Sequence, residues 1–245
     1  AVSCFVVFIG TIWPLLAELF FDRKLSVGEP FFNAAFAPFA VALAVILPIG
    51  AMMPWKRGDL LRGVRPLIPA MLLAFAVGAL VWAMQTGRTA MGPVGVALGI
   101  WVVLGAGTDL WTRTGRGPVA GRIARLARLP RADWGKVTAH AGMGITVFAV
   151  CAMLAWKTED IRVVQEGASF PLGPYEVTLQ SVEEVRGPNY LSTMATMIVR
   201  RDGALVATLS PEKRFYPVQG MPTTEAAIDY GFLRDLYLVI GDPQA

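Results

Sequence analysis

The 245 residues are poor in the side chains that carry most polar chemistry. There is one histidine, there are two cysteines, and only 16% of residues are charged. With one histidine, zinc has no set of several His or Cys ligands to occupy. A Ser-His-acid triad would have to use that same histidine, His140, which lies in an apolar run. Cys4 and Cys151 form no C-x-x-C and both sit in apolar stretches, so they read as buried thiols without a redox role. No Gly-rich phosphate loop precedes a strand-helix pattern. Acidic pairs such as Glu159-Asp160 and Glu183-Glu184 read as solvated linker and strand faces.

What the chain has instead is apolar length. Hydrophobic residues make up 55% and mean hydropathy is +0.53. Soluble domains carry closer to a quarter charged residues. Runs of about twenty apolar residues point to an integral membrane protein. Five spans are expected: Val2 to Phe20, Ala34 to Met53, Leu67 to Met84, Val94 to Trp111, and Gly135 to Trp156. Pro14 should kink the first, and Pro38 and Pro48 lie in the second. Ser26 to Asn33 reads as a turn-rich connector. The chain opens on Ala1 inside an apolar run, with no Met and no basic n-region, so it is expected to be the middle of a longer protein rather than to start with a signal peptide.

The net charge of +4 reads as membrane orientation, not nucleic-acid binding. Lys56, Arg57, Arg62 and Arg65 crowd one loop, and the Arg113–Lys136 connector is also basic. The alternate loops carry fewer cations, so the basic side is expected to be cytoplasmic. Everything after Trp156 then lies outside. Trp55, Trp82, Trp111, Trp134 and Trp156 fall at span ends, while Trp13 and Trp101 read as core packing. Asp109 is expected to pair with Arg113 one turn later. Within the connector, Arg122, Arg125 and Arg128 recur every third residue beside Ile123, Leu126 and Leu129. A basic amphipathic helix in the cytoplasmic interface is expected, its arginines reaching phosphates. Stacking aromatics are not interleaved with them, which argues against nucleic acid.

From Lys157 the period changes to two. Ile161–Gln165, Tyr175–Gln180, Met194–Arg200, Leu205–Leu209 and a last stretch from Tyr237 to Ile240 read as strands. Asp202-Gly203 is a hairpin signal. The fold class is therefore a membrane α-helical bundle of about five transmembrane helices followed by a small exported antiparallel β domain. Residues 1–156 form the helical region, with the amphipathic connector at 116–134, and residues 157–245 the β-rich domain. In that domain Glu212 to Pro217 reads as an edge strand. Phe215 would face the core, and Arg214 and Tyr216 would share the face offered to a partner.

His140 is the residue on which function is expected to turn. An ionisable group inside a span is costly and marks a functional site. The plainer alternative is a neutral imidazole hydrogen-bonded to a neighbouring helix. Ala139, Ala141, Gly142 and Gly144 leave room beside it, either for close helix packing or for a flat macrocycle. Haem iron taken by a neutral imidazole nitrogen is one such use. Met143 reads as packing, since two ligands one turn apart cannot take opposite faces of one haem.

The run from Ser210 to Asp229 and Arg234 to Gly241 resembles the C-terminal exported domain of the CcmF family, the haem-lyase subunits of bacterial cytochrome c maturation. Leu126 to Gly135, Ala139-His140-Ala141-Gly142, Gly10 to Leu15 and Ser26 to Asn33 are similar to other segments of that family. The resemblance covers nearly the whole chain, and the nitrite-reductase relatives share its motifs. It implies that His140 is one of two histidines ligating a b-type haem (haem b), and that the family's tryptophan-rich haem-handling motif lies upstream of Ala1. It implies as partners CcmH/CcmI-type subunits, the haem chaperone CcmE and apocytochrome c. It also implies the bacterial inner membrane, with the β domain periplasmic. From the residues alone, a proton-coupled transporter subunit or a membrane anchor presenting a β domain are the rival readings.

Overall fold

The computed structural model describes residues 2–23, 25, 27–53, 59–87, 89–232 and 234–242, without the side chains of Glu29 and Pro30. It divides into two compact units, Ala1–Lys157 and Thr158–Ala245.

The first unit is helical. Helix α1 spans Val2–Phe21, α2 Glu29–Met52, α3 Leu60–Val64, α4 Ile68–Met84, α5 Met91–Arg113, α6 Val119–Leu126 and α7 Arg131–Trp156, with a 3₁₀ turn at Arg65–Leu67 before α4. Among the described residues, five helical segments are long and apolar enough to cross a membrane: Val2–Phe21, Phe31–Met52, Leu60–Met84, Met91–Arg113 and Arg131–Trp156.

Several boundaries differ from the sequence reading. Residues 29–33, expected in a connector, are the first turns of α2. Pro30 sits at its start, where its fixed φ and missing N–H suit a helix. The basic loop before the third span contains α3. Asp59 caps that helix, accepting from the Leu61 and Arg62 amides. Ser26, Trp55, Lys56 and Arg57 lie outside the described residues. Residues 131–134, expected in the connector, are the first turn of α7, which opens after Pro130. Trp101 is buried, and its indole N–H donates to the Val45 carbonyl at 3.1 Å, tying α5 to α2. Trp13, expected in the core, is 48% exposed.

Helix α5 is the hub, packing against α2, α4 and α7. Its C-terminal end lies beside that of α2, where Ala51, Met52, Met53, Asp109, Thr112 and Arg113 line one shallow cavity. At its other end the loop after α4 is held by α7: the Thr86 and Gly87 amides donate to the Ala155 carbonyl at 3.1 and 2.8 Å. The α2 and α5 C-termini thus share one end of the bundle with the start of α7.

The second unit is antiparallel β. Its strands are β1 (Ser169–Leu172), β2 (Tyr175–Arg186), β3 (Leu191–Arg201), β4 (Ala204–Leu209), β5 (Glu212–Tyr216), β6 (Met221–Glu225), β7 (Ala227–Tyr230) and β8 (Asp235–Leu238). Six form a sheet in the order β1-β2-β3-β5-β6, with β4 also on β3, and β7 pairs with β8 separately. Asp202 and Gly203 both have positive φ, 51° and 79°, and turn β3 into β4 as the sequence indicates. Val177, Leu179, Ala195, Met197 and Val199 from β2 and β3 meet Leu236 and Leu238 from β8 in one core. Ile161–Gln165, expected as a strand, is not one, although Val164 packs against that core. The last strand ends at Leu238, short of the expected Ile240.

Strand β5 is not an edge. It lies between β3 and β6, with Leu191 opposite Phe215 opposite Pro222. Phe215 is 43% exposed, whereas Arg214 and Tyr216 are half-buried. The Arg214 guanidinium stacks 4.5 Å from the Tyr190 ring, which packs on Tyr216, and its Nε donates to Glu212 at 2.8 Å. The pair expected to meet a partner is therefore engaged within the domain, and the aromatic expected in the core is the one turned outward.

Candidate functional site

Helix α7 carries His140, and a close seam with α5 sets its position. Val137, Ala141, Gly144, Phe148, Cys151 and Ala155 step by four and three residues, which keeps one stripe of a helix facing one neighbour. Opposite them are Gly92, Gly95, Gly99 and Val103. The backbones approach so closely that a Cβ on Gly144 would lie 2.9 Å from the Gly99 carbonyl oxygen and 3.0 Å from the Val103 nitrogen. A Cβ on Gly99 would lie 2.7 Å from the Phe148 nitrogen. Gly144 thus serves helix packing and leaves no room for a macrocycle. Gly142 is on the open side, where a Cβ would meet no atom within 4 Å.

One turn before His140, charge fixes the same pair of helices. Asp109, 3% exposed on α5, receives Arg113 Nε at 3.2 Å, as its spacing predicts. It also pairs with the Lys136 ammonium from α7, and Arg113 reaches Asp133 on α7 at 2.8 Å. A buried carboxylate is tolerable only when paired in this way. The sequence reading identified the Asp109–Arg113 pair but missed Lys136 and Asp133. Opposite charges at facing ends of consecutive spans were the available signal.

His140 lies between these two locks. With Lys136, Met143 and Val147 it occupies the half-buried flank of the seam, while Thr138, Gly142, Ile145 and Thr146 are exposed. Among the described residues its imidazole has no hydrogen-bond or ion-pair partner, so the plainer reading of a histidine bonded to a neighbouring helix finds no acceptor here. An imidazole nitrogen free among the described residues, on a flank shared with Met143, Val147 and Lys136, could take a haem iron. Among the described residues, no group of three or more His, Cys, Asp or Glu side chains gathers there that could hold a metal ion.

The connector differs from its expected form. Arg122 and Arg125 do not reach outward. Arg122 Nε donates to Thr114 Oγ1 at 2.9 Å, its other nitrogen bonds the Trp111 carbonyl, and the guanidinium lies 4.0 Å over the Trp111 ring. Arg125 bonds the Thr114 and Arg116 carbonyls at 2.6 and 2.9 Å. Both arginines cap the C-terminal end of α5, where free carbonyls and the helix dipole favour cations.

Comparison with known proteins places this arrangement. Residues 155–245 match the family described as the CcmF C-terminal beta-sandwich. The whole chain is 58% identical to cytochrome c-type biogenesis protein ccl1 of Rhodobacter capsulatus, covering 100% of this chain and 37% of that protein. It is 39% identical to cytochrome c-type biogenesis protein CycK of Bradyrhizobium diazoefficiens, again over 100% of this chain and 37% of the relative. With CcmF of Escherichia coli it is 34% identical over 97% of this chain and 35% of that protein. The solved structure of cytochrome c heme lyase CcmF matches 94% of this chain and 36% of its own, with a TM-score of 0.61 and 23% identity, which speaks for the fold. The chain spans little more than a third of the length of these relatives. The β domain thus matches the CcmF C-terminal beta-sandwich, and the chain along its whole length is similar to little more than a third of the CcmF/CycK cytochrome c-type biogenesis proteins.

Proposed function

We propose that this chain is the part of a cytochrome c haem lyase that holds a b-type haem in the membrane and presents a β domain to the maturation machinery. His140 would hold the haem iron through an imidazole nitrogen. The observation that carries this reading is the sole histidine of the chain, half-buried and without a partner among the described residues, on a span-length helix whose register is locked on both sides of it. When bound, haem supplies one-electron chemistry. The chain's own part is to hold the ligand still. The glycine seam fixes the rotation of α7, Asp109 and Lys136 fix its height, and Met143 and Val147 keep the flank apolar.

In this reading a second histidine and a tryptophan-rich haem-handling motif come from the remainder of the longer relatives, of which this chain spans little more than a third. The β domain, which has no histidine and no cysteine, is read as a binding surface. Its partners are CcmH/CcmI-type subunits, the chaperone CcmE that delivers haem, and the apocytochrome that receives it. The helices lie in the bacterial inner membrane, the basic connector faces the cytoplasm and the β domain faces the periplasm. His140 lies about 24 Å of helix before Trp156, at about 1.5 Å per residue, so the haem sits in the cytoplasm-proximal part of the bilayer.

The test uses the full-length protein in membranes. His140→Ala should remove or loosen the haem, read from its absorbance spectrum, while membrane insertion is unchanged. An unaltered haem spectrum refutes the assignment. Cysteines at Arg125 and Asp202 should label from opposite sides of the membrane with an impermeant reagent. Labelling of both from one side refutes the topology.

A further inference from the structure

We infer that α6 and the first turn of α7 form a binding surface for anionic lipid headgroups, built on Arg116, Arg128 and Arg131. Seven cations lie between Arg113 and Lys136. The fold occupies four of them. Arg113 and Lys136 hold Asp109, and Arg122 and Arg125 cap α5. Arg116, Arg128 and Arg131 are exposed, and no side-chain partner among the described residues takes them up. The acid in this stretch, Asp133, is already held by Arg113. The leftover charge is therefore of one sign and has no internal counter-charge.

The same segment also exposes apolar side chains. Val119 and Ile123, one turn apart on α6, are 62% and 56% exposed, and Trp134 on α7 is 41% exposed. The Trp134 indole N–H donates to the Leu126 carbonyl at 3.3 Å, which ties the start of α7 to the end of α6. Because Arg122 and Arg125 turn inward to α5, Val119 and Ile123 are left on the outer side of α6. The patch also has a fixed place. It joins the C-terminal end of α5 to the N-terminal end of α7, and both are span-length apolar helices. That is the level at which headgroups lie when those helices cross a bilayer. Apolar side chains with free arginines at that level fit acyl chains below and phosphates above. A neutral surface would satisfy the valine and isoleucine but not the three guanidinium groups, and a soluble acidic partner would satisfy the reverse.

The experiment uses the full-length protein with Cys4→Ser and Cys151→Ala, labelled with bimane at Ile123→Cys. It is reconstituted into phosphatidylcholine vesicles with a minor fraction of phosphatidylglycerol, one or the other lipid carrying brominated chains at equal amount. Brominated phosphatidylglycerol should quench about twofold more than brominated phosphatidylcholine, because headgroup charge enriches it locally. Raised salt should narrow the difference. Replacing Arg116, Arg128 and Arg131 by Gln should abolish it, and replacing them by Glu should invert it, with the haem spectrum unchanged. Equal quenching by the two lipids in the native background overturns the inference. So does quenching by aqueous iodide and by neither lipid, which would mean that a soluble partner covers α6.

Discussion

A single methyl group at Gly144 should distort the bundle that a methyl two residues earlier leaves intact. The Cβ of Gly144→Ala would lie 2.8 Å from Val103 Cγ2, 2.9 Å from the Gly99 oxygen and 3.0 Å from the Val103 nitrogen. Ordinary carbon contacts fall at about 3.5–4.0 Å. Two of the three neighbours are backbone and cannot rotate away, so α5 and α7 must part by roughly 0.5–1 Å, enough to forfeit part of the dispersion along the seam. Overpacking of this kind costs about 1–3 kcal/mol. Gly142→Ala meets nothing within 4 Å. Both substitutions gain the same helix propensity, about 0.5–1 kcal/mol, so this gain cancels in their difference. The two variants should therefore differ by about 1–3 kcal/mol. The assay is thermal unfolding of the detergent-solubilised full-length protein, followed in parallel by haem absorbance. Gly144→Ala should unfold several degrees below Gly142→Ala and hold haem less tightly, because the seam positions His140. Val103→Ala should restore only part of the loss, since the Gly99 carbonyl remains in the way. Equal stability of the two glycine variants would refute the packing argument.

Asp109→Ala removes the buried anion while Lys136 and Arg113, each about a third exposed, regain water, so it should destabilise the helical unit by about 1–3 kcal/mol, measured by the same unfolding assay. Lys136→Ala leaves the Asp109 carboxylate buried with Arg113 as its one remaining cation and should cost at least as much. In the β domain, Met197→Ala should cost about 2–5 kcal/mol, as for any well-packed core methionine, whereas Phe215→Ala should cost under about 1 kcal/mol because the ring is already exposed. A large loss at Phe215 would restore it to the core. A hydrogen bond from Arg214 holds the Glu212 carboxyl below the usual carboxylate range, with a further bond from Ser192 and a partial offset from burial. Its contribution is full above the ordinary carboxylate pKa of about 4.3 and fades as pH falls through the lower folded value. Amide exchange around Ser192 should accelerate in that acid range, and Glu212→Gln should remove the dependence.

The helical half of the fold is legible because a span is a one-dimensional signal. About twenty apolar residues mean the same thing whatever they touch. Its boundaries are less legible, since they depend on how chain ends are satisfied. Pro30 looks like a turn residue until it is seen opening α2, and Asp59 looks like a stray acid until it caps α3. The β half shows the opposite weakness. Alternation marks Leu205–Leu209 correctly and Ile161–Gln165 wrongly, because a period of two describes a side-chain pattern and not the partner strand that turns it into a sheet. The same gap misplaced β5. Proline after Tyr216 suggests an edge, but β5 ends before Pro217 and is hydrogen-bonded on both sides.

At the site, residue type was legible and direction was not. A lone histidine in a span announces itself by its cost. The rotation of its helix is set by α5, through Gly99 and Val103, about forty residues earlier in the chain, and no local pattern around His140 contains it. The connector teaches the same lesson about charge. A three-residue repeat of arginine identifies a helix but not which arginines face inward. Arg122 and Arg125 are drawn in because α5 ends there with unsatisfied carbonyls, and one guanidinium can satisfy several at once. The arginines left for the lipid are then the ones outside the repeat's centre: Arg116 before α6, Arg128 after it and Arg131 at the start of α7. A net charge counts all seven cations alike. Only the three that the protein does not use on itself remain to act on anything else.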